Sequence, residues 1–187
     1  MIAGAIAVAT RVAFGSTATQ SGSPPRGPCI YIANHSSHLD FVLVWSLLAP
    51  ARRRRTRPVA ARDYWERGPV RRWLAERVFR AILVDRGVTA LSAADRLTAS
   101  RRAIRSLTDA LDRGDSLILF PEGTRNCDGG VAPFKSGLYH LCALRPDTPV
   151  APVRLENLNR ILPKGHLLPV PLLSRVRFGA PLLIEAG

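Results

Sequence analysis

The sequence contains few cysteines, few lysines and no long apolar run. The shortage of cysteine and the lack of a long apolar run each exclude a class of protein. Its three cysteines, Cys29, Cys127 and Cys142, form no Cys-x-x-Cys pair, which argues against a disulfide framework or zinc knuckle and favours a reducing compartment. No stretch offers the roughly 20 apolar residues of a membrane-spanning helix. Residues 1–14 are mostly apolar but begin without a basic residue, so they fit a secretory signal poorly. We expect them to form a helix that lies on a surface or docks onto the domain.

Positive charge is abundant and comes almost entirely from arginine. The formal net charge is +13, and only Lys135 and Lys164 are lysines. Such a charge indicates an anionic partner. Three kinds of partner fit: a membrane surface, a nucleic acid or a phosphorylated substrate. A length of 187 residues with a hydrophobic content of 47% fits one domain with a sizeable core.

Apolar strands alternate with helices along the chain. Strands are predicted by short apolar or β-branched runs at 29–33, 58–61, 81–85, 116–120, 149–155 and 175–178. Helices are predicted from Ser36 or Ser37 to Pro50 and over 69–81, 92–114 and 134–145, with a basic loop at 51–58. This order predicts a single α/β domain with a mostly parallel mixed sheet flanked by helices. We divide the chain into an N-terminal apolar segment and loop, residues 1–28, and one domain, residues 29–187.

Polar clusters follow three of these strands. They are NHSSHLD (34–40), DRG (85–87) and PEGTRN (121–126). Because ligands of parallel sheets bind beyond the carboxyl ends of the strands, we expect these clusters to meet along one edge of the sheet.

The cluster NHSSHLD has three interpretations. A metal site would use His35, His38 and Asp40, but the chain's other two histidines lie in no ligand-like cluster. A helix-capping junction would explain Ser37 and part of Asp40, but not His35. A catalytic dyad would use His35 as a general base and Asp40 to orient its ring. Since the chain has no G-x-S-x-G elbow and no evident activated cysteine, such a dyad would activate a substrate hydroxyl or a water directly.

The motifs, taken in order, resemble those of the glycerolipid acyltransferases, the family of 1-acyl-glycerol-3-phosphate acyltransferases. NHSSHLD is similar to the family's N-H-x-x-x-x-D motif, and FPEGTRN (120–126) matches its F-P-E-G-T-R block. Three further blocks are similar in order and spacing: ILVDR (82–86), PFKSG (133–137) and VAPVRLEN (150–157). The resemblance extends from about residue 29 to about residue 180, and it implies the fold of that family.

The resemblance also implies a reaction. Members of the family are O-acyltransferases that move a fatty acyl group from acyl-CoA or acyl carrier protein to a lysophospholipid hydroxyl. The commonest acceptor is 1-acyl-glycerol-3-phosphate, which gives phosphatidic acid. By this resemblance His35 is the general base, Asp40 supports it, and no acyl-enzyme, metal or cofactor is needed beyond the thioester co-substrate. Asn34 and nearby backbone amides are candidate oxyanion donors.

A second set of residues is implied to bind the acceptor. Arg86 and Arg125 have planar, charged forks that suit its phosphate. Gly123 would allow close approach of the backbone, and Thr124 would add a hydroxyl. Glu122 would either hold one of these arginines in place or bind an acceptor hydroxyl. The alternative for Arg86 is a salt bridge at the rim of the domain.

Lipid substrates imply contact with a membrane. Residues 62–80 interleave Tyr64, Trp65, Trp73 and Phe79 with arginines, a combination that suits an anionic membrane surface. We therefore expect a peripheral or monotopic protein on the cytoplasmic face of a membrane. The alternative is that Trp73 belongs to the core and the arginines form a solvated face.

Other functions stay open at this point. The acceptor could instead be a lyso-ornithine lipid or glycerol 3-phosphate, and a thioester or lipid hydrolase would share His35 and Asp40 without needing a phosphate clamp. A basic nucleic-acid-binding module fits the charge alone. It leaves NHSSHLD and FPEGTRN unexplained, so we expect no nucleic acid among the partners.

Overall fold

The computed structural model describes residues 2–37, 40–85, 92–126, 130–156 and 174–184, which form a sheet with helices on both faces. The strands are β1 (Thr17–Gln20), β2 (Ile30–Ala33), β3 (Thr56–Ala61), β4 (Ile82–Val84), β5 (Ser116–Leu119), β6 (Val150–Glu156) and β7 (Arg175–Phe178). The helices are α1 (Ile2–Ala13), α2 (Asp40–Leu47), α3 (Pro50–Arg54), α4 (Arg62–Trp65), α5 (Pro69–Trp73), α6 (Ala93–Asp112) and α7 (Gly137–Leu144). A π-helical segment, Leu74–Val78, continues α5.

The seven strands lie in the order β1-β7-β6-β2-β5-β3-β4. The five strands from β6 to β4 are parallel to one another, whereas β7 is antiparallel to β6 and pairs in parallel with β1. The predicted mixed, mostly parallel sheet is therefore confirmed. Because β5, β2 and β6 are neighbours, the residues that follow β2 and β5 meet at one edge, beside the end of β6.

Each face of the sheet has its own apolar core. On the first face, Tyr31, Val153 and Val176 pack with Val44 and Trp45 of α2. On the second face, the buried residues come from the sheet and from α6 and α7; they are Ile30, Leu117, Val150, Leu107, Leu111 and Leu141. Full burial of such side chains stabilises the fold by about 1.5–3 kcal/mol each.

Two cysteines belong to these cores. Burial raises the pKa of the Cys29 thiol to about 12, and burial also raises the pKa of Cys142. Both thiols therefore stay protonated near neutral pH and act as small apolar residues. Cys127 lies outside the described residues.

The N-terminal helix docks onto the domain, as expected. Ala7, Thr10 and Phe14 are buried, and the Arg11 guanidinium donates to the Ser46 carbonyl oxygen of α2. Along the described ranges, none of the helices combines the length and apolarity needed to cross a bilayer.

The structure differs from the sequence prediction at several places, which include the following three. Residues 17–20, predicted as loop, form the exposed edge strand β1, which is held by backbone pairing with β7. Residues 51–58, predicted as a basic loop, contain α3 and the start of β3, since Pro50 and the arginines are compatible with a helical turn. The helix predicted from Ser36 or Ser37 is described only from Asp40.

Candidate active site

A buried carboxylate organises the turn between β2 and α2. Asp40 is fully buried, and its Oδ2 lies 2.8 Å from His35 Nδ1. The same oxygen accepts the backbone N–H groups of Ser36 at 2.6 Å and Ser37 at 2.8 Å. Since Nδ1 faces a carboxylate oxygen, it carries the ring proton, and Nε2 is left as the basic nitrogen of the imidazole.

The His35 backbone and ring are fixed by the turn that follows β5. The His35 N–H donates to Glu122 Oε1 at 2.8 Å, and the His35 carbonyl accepts the Asn126 N–H at 2.8 Å. The His35 ring stacks on Phe120, with centroids 4.4 Å apart. Its side chain remains 17% exposed, so the imidazole is held rigidly but is still accessible.

Glu122 has two backbone partners that the sequence did not indicate. It is buried, and its second oxygen, Oε2, accepts the Ala132 N–H at 2.9 Å. Both carboxylate oxygens therefore bind backbone amides, one before and one after the FPEGTRN turn. This geometry favours a role in holding the loops together over a role in holding an arginine or binding an acceptor hydroxyl.

Asn34 also has structural partners. Its Nδ2 donates to the Leu155 carbonyl at 3.1 Å, and its Oδ1 accepts the Leu155 N–H at 2.8 Å. The side chain therefore extends the pairing between β2 and β6 beyond the strand end. This geometry favours a bridging role over the oxyanion role considered from the sequence.

The residues predicted to bind a phosphate lie near His35 where they are described. Gly123 and Thr124 are exposed and Arg125 is half-buried, in the turn whose Asn126 bonds to His35. Gly123 has φ +69°, and a Cβ there would lie 2.8 Å from the Lys135 side chain, so this position favours glycine. Arg86 lies outside the described residues.

A cavity of about 540 Å³ opens beside Asn34, between the ends of β2, β6 and β7 and the loop after β5. Ile32, Val153 and Phe134 give it apolar walls, and Arg154 and Arg177 add positive charge. Neither Arg154 nor Arg177 was predicted from the sequence as a site residue. In RVRF (175–178), arginines alternate with buried apolar residues, and this alternation indicates a strand that exposes its arginines on one face.

No group of three or more potential metal ligands occurs in the parts of the chain that the structure describes. His38, which the metal interpretation of NHSSHLD required, lies outside them. The roles of His35 and Asp40 in catalysis stay predictions, but the two side chains have the geometry that a general-base pair requires.

Taken together, the fold and site define an α/β domain with a histidine–aspartate pair at the carboxyl edge of its parallel strands. The family model described as Acyltransferase matches residues 17–156, and the chain belongs to this family.

Sequence relatives agree with this assignment. The chain is 35% identical over 147 residues to a 1-acyl-sn-glycerol-3-phosphate acyltransferase of Limnanthes alba, covering 76% of this chain and 47% of that protein. It is 31% identical over 136 residues to the human 1-acyl-sn-glycerol-3-phosphate acyltransferase alpha, covering 72% and 42%. The chain thus spans less than half the length of these curated relatives.

A solved structure has the same fold. The 1-acyl-sn-glycerophosphate acyltransferase PlsC from Thermotoga maritima superposes with a TM-score of 0.68 at 24% sequence identity. The alignment covers 97% of this chain and 68% of the other. The expected fold class is therefore confirmed.

The Glu122 contacts generate a stability prediction. Glu122→Gln should place an amide N–H₂ against a backbone N–H and lower the free energy of unfolding by about 1–3 kcal/mol. Urea unfolding measures this change. The control is Glu66→Gln, which removes an exposed ion pair with Arg62 and should cost at most about 1 kcal/mol. Equal losses in the two variants would contradict the assigned role.

Proposed function

We propose that this chain is an O-acyltransferase that moves a fatty acyl group from a thioester donor to a lysophospholipid hydroxyl, with 1-acyl-glycerol-3-phosphate as the acceptor. The observation that carries the proposal is the His35–Asp40 pair, with Nδ1 held by a buried carboxylate and the ring exposed at the sheet edge. Membership of the family and the names of the relatives support the same reaction.

The proposed reaction transfers the acyl group directly from the donor to the acceptor. His35 Nε2 takes the proton of the acceptor hydroxyl as its oxygen attacks the thioester carbonyl carbon. Asp40 stabilises the imidazolium that forms. The C–S bond then breaks, and the imidazolium returns the proton to the departing thiolate, so no acyl-enzyme and no metal take part. The donor is acyl-CoA or acyl carrier protein, and it is a co-substrate rather than a cofactor.

The acceptor phosphate is proposed to bind at Arg125. Its neighbour Asn126 bonds to the His35 backbone, so the arginine belongs to the turn that holds the base. The phosphate of 1-acyl-glycerol-3-phosphate lies only a few bonds from its free hydroxyl. Exposed Thr124 and Gly123 leave room for it. A hydrolase would use water in place of the acceptor and would not need a clamp for an acceptor phosphate.

We also propose a peripheral position on an anionic membrane surface, at its cytoplasmic face. Val70 is 68% exposed and Trp73 is 44% exposed, and Arg71 and Arg72 lie between them. Apolar side chains beside guanidinium groups suit a headgroup layer. Phe79 was predicted from the sequence to belong to this surface. That prediction is wrong, because Phe79 is buried in the core, in contact with Trp45.

The base assignment predicts a loss of turnover. His35→Ala should lower the rate of acyl transfer by about 10²–10⁴-fold, because general-base catalysis contributes about that much. His140→Ala, which removes an exposed histidine of α7, is the matched control and should retain the wild-type rate. Transfer of labelled acyl groups to a panel of lyso-acceptors, with and without EDTA, measures this. Near-normal turnover of His35→Ala, or inhibition by EDTA, would contradict the mechanism.

The phosphate assignment predicts a change in KM. Arg125→Ala should raise the KM for 1-acyl-glycerol-3-phosphate by about tenfold or more, because a charge-assisted bond to the phosphate is lost. The KM for a neutral monoacylglycerol should change little, because this acceptor has no phosphate. Arg101→Ala, on an exposed face of α6, controls for the loss of one charge. Equal effects on the phosphorylated and neutral acceptors would refute the clamp.

The membrane proposal predicts weaker lipid binding when the exposed apolar pair is removed. The double variant Val70→Ala, Trp73→Ala should float less with anionic vesicles than the wild type. Leu97→Ala, an exposed apolar residue of α6 on the other face of the sheet, is the control. A gel shift with DNA tests the rival partner. Unchanged flotation of the double variant, or DNA binding in preference to vesicles, would contradict the proposal.

A further inference from the structure

Two arginines face each other across the antiparallel pair of β6 and β7. Arg154 and Arg177 are direct register partners, with side chains 75% and 53% exposed. Like charges placed directly opposite each other destabilise a sheet. Their ion pairs in the described part of the chain go to one oxygen, Glu156 Oε1, at 3.3 Å and 3.5 Å. A single carboxylate thus stands against two guanidinium groups, which leaves a net positive charge.

The arginine pair belongs to the cavity beside the candidate active site. Arg154 and Arg177 line it together with Asn34, the residue before His35. Leu155 pairs with Asn34, so Arg154 lies beside the end of β2, and Arg177 lies one strand further away. At a strand spacing of about 4.8 Å, the pair is within about two strands of the residue next to the base.

The pair lies on the other side of His35 from Arg125. β6 and β7 lie on one side of β2, whereas β5, which leads to Arg125, lies on the other. The His35 ring stacks on Phe120 and so leans toward the β5 side. The structure therefore has two cationic groups on opposite sides of β2 in the sheet order: Arg125, in the turn after β5, and the pair of Arg154 and Arg177, on β6 and β7.

We propose that Arg154 and Arg177 bind the phosphate of the acyl donor's phosphopantetheine arm. This inference rests on the proposed function, in which both co-substrates carry phosphate. The acceptor phosphate must lie close to the base, because few bonds separate it from the reacting hydroxyl. The donor phosphate is separated from the thioester by the whole pantetheine arm, so its site can lie one or two strands away from β2, where the pair lies. Two guanidinium forks match the oxygens of this phosphate, which is part of a diphosphate in coenzyme A and a phosphodiester in acyl carrier protein.

The walls of the cavity suit the arm that joins this phosphate to the sulfur. Ile32 and Phe134 provide apolar contact for its methylene and geminal methyl groups. Coenzyme A and acyl carrier protein present the same phosphopantetheine, so one site serves both donors. Acyl-phosphopantetheine and acyl-pantetheine differ only at this phosphate, so a comparison of the two tests the site directly.

The test compares the double variant Arg154→Ala, Arg177→Ala with Arg175→Ala, which removes a charge from the same strand outside the cavity. The double variant should raise the KM for acyl-CoA and for acyl-phosphopantetheine by about tenfold or more, with the KM for the acceptor unchanged. With acyl-pantetheine, which lacks the phosphate, the double variant and wild type should be equal. Acyl carrier protein as donor should follow acyl-phosphopantetheine, and Arg175→Ala should match the wild type throughout.

Three results would overturn the inference. They are a raised KM for the acceptor alone, an equal loss with acyl-pantetheine and acyl-phosphopantetheine, and an unchanged KM for all donors. If the wild type transfers no acyl group, the proposed function fails by itself. Calorimetric binding of CoA to the wild type and the double variant then decides the inference independently. The inference is supported if CoA binds tightly to the wild type and not to the double variant. It is overturned if CoA binds equally to both proteins or to neither.

Discussion

The buried carboxylate of Asp40 is the constraint on which the candidate site depends. Removing a carboxylate from water costs several kcal/mol unless donors replace the lost hydration. Here the donors are the His35 ring and the amides of Ser36 and Ser37, all within five residues of Asp40. The turn conformation and the histidine orientation therefore support each other, at the point where α2 begins. The capping and catalytic interpretations of NHSSHLD therefore involve the same carboxylate, which bonds to the turn amides and to the His35 ring.

The second constraint is the parallel pairing of β2 with β5. This pairing brings Glu122 and Asn126 to the two sides of the His35 peptide, although Glu122 is 87 residues away in sequence. A histidine that is fixed through both its ring and its backbone loses little orientational freedom when a substrate binds. Rigidity of this kind lowers the entropy cost of reaching a reactive geometry.

The strands and the contact between His35 and Asp40 were predictable because their signals are local. The apolar runs that form β2 and β5 are buried, and the spacing of His35 and Asp40 allows the chain to fold back. Strand β1 was not predictable, because its exposed residues join the sheet through backbone bonds that leave no apolar pattern. The partners of Glu122 were also hidden, since backbone amides have no sequence signature. The meeting of Arg154 with Arg177 depends on strand register, which no motif specifies.

The distribution of charge along the sheet edge connects the composition to the proposed chemistry. A net charge of +13 attracts anions without selecting among them. Two co-substrates that both carry phosphate repel each other when they are brought together at one histidine. In the proposed reaction, Arg125 on one side of β2 and the pair of Arg154 and Arg177 on the other would offset this repulsion and keep the two phosphates apart. The arrangement of the arginines, more than their number, therefore fits a reaction between two anionic substrates.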